Sequence, residues 1–136
     1  MYRFTFIFLL LISSNCKAQN NAKEIDKSDY AIITHTIGDS VFVNSKSVDL
    51  SYNEILNIEK ILKLELGRKL KKHKYFRQYI AVENENNKKI VWVNFLCKKY
   101  YEPTLENRIA NPGNGDCFFE LKVNLTDKNI FDFREK

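Results

Sequence analysis

The hydrophobic positions of this chain change period several times, and each change marks an element. Phe4 to Ile12 is apolar almost without break, Thr5 being the exception. From Tyr30 the texture turns β-branched. Tyr30 to Ile37, a Gly38-Asp39 turn signal and Val41-Phe42-Val43 read together as a first hairpin. At Ser51 the period lengthens: Ile55, Ile58, Leu62 and Leu66, with Ile61 alongside, recur at helical spacing and form one buried stripe. Ser51-Tyr52-Asn53-Glu54 supplies the start signal, a capping box. In it the Ser51 hydroxyl accepts from the backbone three residues on, and the Glu54 carboxylate accepts from the Ser51 N–H. Leu50 is placed to staple onto Ile55. Gly67 offers a stop, but the lysines beyond it equally suit a helix running to about Lys72, because a helix C-terminus favours positive charge. Glu59 and Lys63, four apart, add a surface pair.

Period two returns after the helix. Arg77 to Val82 and Ile90 to Cys97 flank an Asn-rich turn, Glu83 to Asn87, and predict a hairpin. Val91, Val93, Phe95 and Cys97 share one face of the second strand, and Ile90, Trp92, Asn94 and Leu96 the other. Both faces are largely apolar, which predicts a central strand partly covered on both sides. Cys117 to Leu125 alternates cleanly with Cys117, Phe119, Leu121, Val123 and Leu125 in phase, and after a turn at Thr126 to Asn129 a short last strand covers Ile130 to Phe133. Between Cys97 and Cys117 there is no period; a stretch that long, with Pro103, Pro112, Gly113 and Gly115, carries function or motion. The expected architecture is α+β, with one long amphipathic helix packed on an antiparallel sheet of about four to six strands, in the order β-β-α-β-β-loop-β-β.

The first apolar run changes where this domain is expected to work. Arg3, the run to Ile12, the polar exit at Ser13 to Asn15 and the small residues Cys16 and Ala18 make a secretory signal over residues 1–18. The run is about half of the roughly 20 apolar residues that span a bilayer. A lipoprotein signal would instead lipidate Cys16, but Ser13 and Asn15 fit that pattern poorly, and membrane association would follow only from lipidation. Residues 19–28 read as a flexible leader and 29–136 as a single domain, periplasmic or secreted. Removing Arg3 and Lys17 lowers the net charge from +5 to +3, too mild a balance to imply nucleic acid. Cys97 and Cys117 remain. In an oxidising compartment such a pair is expected to be bonded, and both sit in phase with their strands' apolar residues. Closing a loop of about 20 residues stabilises by roughly 3 kcal/mol on the chain-entropy model.

Three stretches, Arg77 to Val82, Lys89 to Cys97 and Gly115 to Thr126, resemble small exported bacterial proteins that carry no assigned activity. That resemblance implies the strand order and transfers no site residues. The helix-on-meander outline also looks like cystatin-like or PepSY-like domains in shape, although the Gln-Val-x-Ala-Gly inhibitor motif is absent.

Candidate chemistry is sparse. Cys97 or Cys117 activated by His35 or His73 would make a thiol nucleophile, but each cysteine is the other's expected partner. The histidines are far apart in sequence and no metal-ligand spacing is present. Asn111 to Asp116 lacks the EF-hand pattern, and Gly113-Asn114-Gly115 fails as a dinucleotide fingerprint. No cofactor is implied. Arg68, Lys69, Lys71, Lys72, Lys74 and Arg77, with His73 among them, form the one strong charge cluster, and Tyr100 and Tyr101 open the long loop. Together they point to a contact surface for an unknown protein or an envelope component. The expected function is a non-enzymatic extracytoplasmic binding or inhibitor-like module. The alternative is a small hydrolase or thiol enzyme with a site assembled from scattered residues.

Overall fold

A computed structural model describes residues 25–36, 40–100 and 115–135. The secretory signal with Cys16, the leader up to residue 24, the Gly38-Asp39 turn and the loop from Tyr101 to Asn114 lie outside the described residues. The elements are β1 (Tyr30–Ile32), β2 (Lys46–Ser47), α1 (Tyr52–Leu70), β3 (Tyr75–Glu83), β4 (Lys89–Cys97), β5 (Phe118–Asn124) and β6 (Asn129–Glu135). One helix packs on one six-stranded sheet, as the sequence pattern predicts.

The capping box starts α1 as expected. The Ser51 N–H donates to Glu54 Oε2 at 2.9 Å and the Glu54 N–H donates to Ser51 Oγ at 3.3 Å. The other carboxylate oxygen, Oε1, accepts from Lys89 Nζ at 2.7 Å, so the cap also pins the helix start to β4. Burial alone would raise the Glu54 pKa, but the bonds from Lys89 and Ser51 outweigh it and hold it below the usual carboxylate range. Ile55, Ile58 and Leu62 are fully buried. The stripe weakens at Leu66, whose non-helical backbone (φ −122°, ψ 17°) kinks the helix next to Gly67. The helix then resumes to Leu70, so Gly67 neither stops it nor leaves it undisturbed.

Strands β3 to β6 form an antiparallel meander, with Tyr75 opposite Cys97 and Phe95 opposite Phe119. Asn84 builds the β3–β4 turn by accepting the N–H groups of Asn86 and Lys88 on its side chain, each at 3.0 Å. Central β4 is buried on both faces. Its helix-facing residues join Tyr79, Phe119, Leu121 and Val123 in the main core, and Trp92 on the far face packs with Ile80, Val82, Ile90 and Phe42. The last strand is longer than predicted, running from Asn129 to Glu135.

The first hairpin does not form, and the sheet is mixed rather than wholly antiparallel. β1 runs parallel to β3, with Tyr30 opposite Arg77 and Ile32 opposite Tyr79, while β2 pairs antiparallel further along the same strand at Val82 and Glu83. Parallel neighbours need a long crossover, and α1 provides it. Its 19 residues extend about 28 Å, close to the length of nine-residue β3, so one pass of the helix returns the chain to the far end of the sheet. Val41 to Val43 is not a strand; Phe42 serves instead as a plug for the far-face cluster.

Candidate functional site at the cystine end of the sheet

The end of the sheet where α1 exits collects most of the residues singled out by sequence. Cys97 closes β4, and Cys117 lies in a one-turn 3-10 segment (Gly115–Cys117) leading into β5. Gly115 there has φ +54°, a backbone conformation that a side chain disfavours. The two cysteines form a disulfide with Cα atoms 5.0 Å apart, and both are buried on the helix side of the sheet. The pair forms where the strand phases place it, because antiparallel β4 and β5 bring the end of one beside the start of the other.

Around the cystine the basic cluster divides in two. Lys69, with its side chain only 15% exposed, pairs with Asp116 at 2.8 Å and with Glu135, and its ammonium lies 4.8 Å from the centroid of the Phe119 ring. Burial would lower the Lys69 pKa, but the two carboxylates raise it. Lys72 takes the second Asp116 oxygen at 2.7 Å, and the Tyr75 hydroxyl donates to the Asp116 carbonyl at 2.6 Å. The hydrogen bonds from Lys69 and Lys72 hold the Asp116 carboxyl far below its ordinary range. Arg77 turns toward the helix, its Nε 2.8 Å from Glu59 Oε1 and its guanidinium 5.4 Å from the Phe95 ring centroid. Lys69 and Arg77 therefore fasten helix to sheet, and Lys72 ties the helix exit to the 3-10 segment. Arg68, Lys71 and Lys74 are exposed and have no counter-ion among the described residues.

Glu59 is the residue whose role sequence reasoning missed. Its spacing suggests a surface partner of Lys63, yet it accepts the Tyr79 hydroxyl at 2.6 Å beside Arg77. The signal was present in its spacing. Glu59 stands four residues after Ile55 and borders the buried stripe, while Arg77 and Tyr79 share the helix-facing side of β3. Burial pushes the Tyr79 phenol well up, and the Glu59 charge adds to that.

A cleft of about 590 Å³ opens beside this cluster, with Asp26, Asp29, His73, Lys74, Arg77 and Lys98 in its wall. The volume lies within the range of small-ligand sites. With Glu59 also in the wall, three carboxylates face three cations, and Lys98 pairs with Asp29 across the cleft. Tyr100, two residues beyond Lys98, is 54% exposed with its ring 6.5 Å from that of Phe118. Tyr101 lies outside the described residues.

His73, far from either cysteine in sequence, comes to the cystine. A ring nitrogen of His73 and both sulfurs lie within 4.8 Å of one another. His35 goes elsewhere, edge-on to Phe42 at 5.8 Å. No helix of the described residues is long and apolar enough to cross a membrane. No family model matches the chain, and neither a curated protein nor a solved structure matches it.

Proposed function

We propose that this chain is an exported, non-enzymatic binding or inhibitor-like module whose contact surface joins the basic end of α1 to the segment beginning at Lys98. The observation that carries this reading is the charge left over at that end. Three of the clustered cations are engaged within the fold, whereas Arg68, Lys71 and Lys74 point outward without counter-ions among the described residues, Lys74 beside the 590 Å³ cleft. Concentrated positive charge next to an exposed aromatic suits an acidic protein surface or an anionic envelope component, and accelerates encounter in a salt-dependent way. Export rests on the secretory signal, and the Cys97–Cys117 pair is what an oxidising compartment favours.

The test is a pull-down from envelope extracts with Arg68, Lys71 and Lys74 reversed to Glu and with Tyr100→Ala and Tyr101→Ala. A partner recovered by the native chain is lost from the variant; unchanged recovery removes the basis of the proposal. One observation favours a second reading, a thiol enzyme: the imidazole of His73 stands within reach of both sulfurs, as an activated thiolate requires. Thiol titration without reductant separates the two, since two unreactive sulfurs eliminate the thiol enzyme and one reactive sulfur supports it.

A further inference from the structure

We propose that the Cys97–Cys117 pair and His73 form a reductively gated zinc site: once the disulfide is opened, two thiolates and one imidazole bind a single Zn²⁺. Among the described residues this is the one cluster with metal-ligating atoms so placed, all within 4.8 Å of one another. Tetrahedral zinc, with Zn–S of about 2.3 Å and Zn–N of about 2.0 Å, needs S···S and S···N separations of roughly 3.5 to 3.8 Å. From a disulfide with Cα atoms 5.0 Å apart, small rotations about Cα–Cβ reach that spacing without moving the backbone.

Three segments present the ligands, and bonds other than the disulfide hold those segments together. Tyr75 is in register with Cys97, its hydroxyl donates to the Asp116 carbonyl at 2.6 Å, and the Lys98 N–H donates to the Lys74 carbonyl at 2.9 Å. Opening the sulfur bond therefore leaves the ligands near one another. His73 is exposed while both cysteines are buried, so the ion enters from the imidazole side. The Asp116 carboxylate is occupied by Lys69 and Lys72, which leaves the fourth position to water. Two thiolates and an imidazole select a thiophilic cation over Mg²⁺ or Ca²⁺.

The chemistry balances with a dithiol as reductant. Its two thiols pass two electrons and two protons to the Cys97–Cys117 bond and close to their own disulfide. Zn²⁺ then displaces the two cysteine protons, and the site gains no net charge.

The experiment uses the full chain with Cys16→Ser, so that Cys97 and Cys117 are its two cysteines, either oxidised or reduced with a phosphine and desalted. Zn²⁺ is titrated against a chromophoric chelator with proton release recorded, and Co²⁺ serves as spectroscopic probe. The reduced chain is expected to bind one Zn²⁺ and release two protons, with a near-ultraviolet thiolate-to-cobalt band, while the oxidised chain binds none. His73→Ala weakens zinc binding at least about tenfold, since even loss of an outer-shell partner costs that much. Should reduction unfold the chain, Zn²⁺ restores the native circular dichroism of the parent but not of His73→Ala. The proposal is overturned by no zinc uptake on reduction, by equal affinity in His73→Ala, or by a reduced chain that stays unfolded in zinc.

Discussion

Glu59 offers the sharpest test of how helix and sheet are joined. Its carboxylate accepts the Tyr79 hydroxyl at 2.6 Å and lies 2.8 Å from Arg77 Nε, with side-chain exposures of 20% for Glu59 and 14% for Arg77. A hydrogen bond to a charged acceptor contributes about 1.5 to 3 kcal/mol, and its loss leaves the buried Tyr79 hydroxyl unsatisfied. The ion pair is neither fully solvated nor fully buried and adds about 1 kcal/mol. Glu59→Ala should therefore destabilise by about 3 kcal/mol, which at about 4 °C per kcal/mol lowers the Tm by roughly 12 °C. Tyr79→Phe alone should cost about 1.5 kcal/mol, because Glu59 keeps Arg77. In the Glu59→Ala background the same substitution should cost almost nothing, the hydroxyl having already lost its acceptor. Urea unfolding of the four chains, followed by far-ultraviolet circular dichroism with the cystine intact, gives the coupling directly. Additive effects within about 0.5 kcal/mol would show that the two groups do not act together and refute this reasoning.

Other perturbations have equally definite outcomes. Replacing Cys97 and Cys117 together with Ala should cost about 3 kcal/mol, the loop-closure value for their separation of 20 residues, measured by denaturant midpoint in the oxidised and substituted chains. Ser51→Ala removes the acceptor for the Glu54 N–H and should cost about 1 kcal/mol, whereas Ser51→Gly should cost only a few tenths. Asp116 has a depressed pKa in the fold, so the stability it contributes is present at neutral pH and is lost as the pH falls below about 4; Asp116→Asn should flatten this acid limb of the melting-temperature profile.

Local rules account for the parts of this fold that were legible in sequence. The helix announced itself through Ser51, Glu54 and the Ile55-Ile58-Leu62 stripe, all within a few turns, and the phases of Val93, Phe95 and Cys97 against Cys117, Phe119 and Leu121 placed the sulfurs together. What failed depended on partners distant in the chain. Tyr30 to Ile32 and Val41 to Val43 have the composition of a hairpin, and nothing local says that the edge of β3 offers β1 a better ladder through the α1 crossover. Neither does anything local say that Phe42 fills the space over Trp92. The basic cluster was legible as a cluster, but not as two sets, because Asp116, Glu135 and Glu59 arrive from other elements. His73 shows the same limit, since its distance from the sulfurs is set by where the helix exit meets the end of β4.

The proposed function presupposes an exported domain stapled by one cystine. Intact mass spectrometry of the protein recovered from its native host without reductant checks both premises in one spectrum. The expected mass is that of a chain beginning at Gln19, two hydrogens lighter than its dithiol form. A full-length chain with Met1 attached and both sulfurs free to react would contradict it.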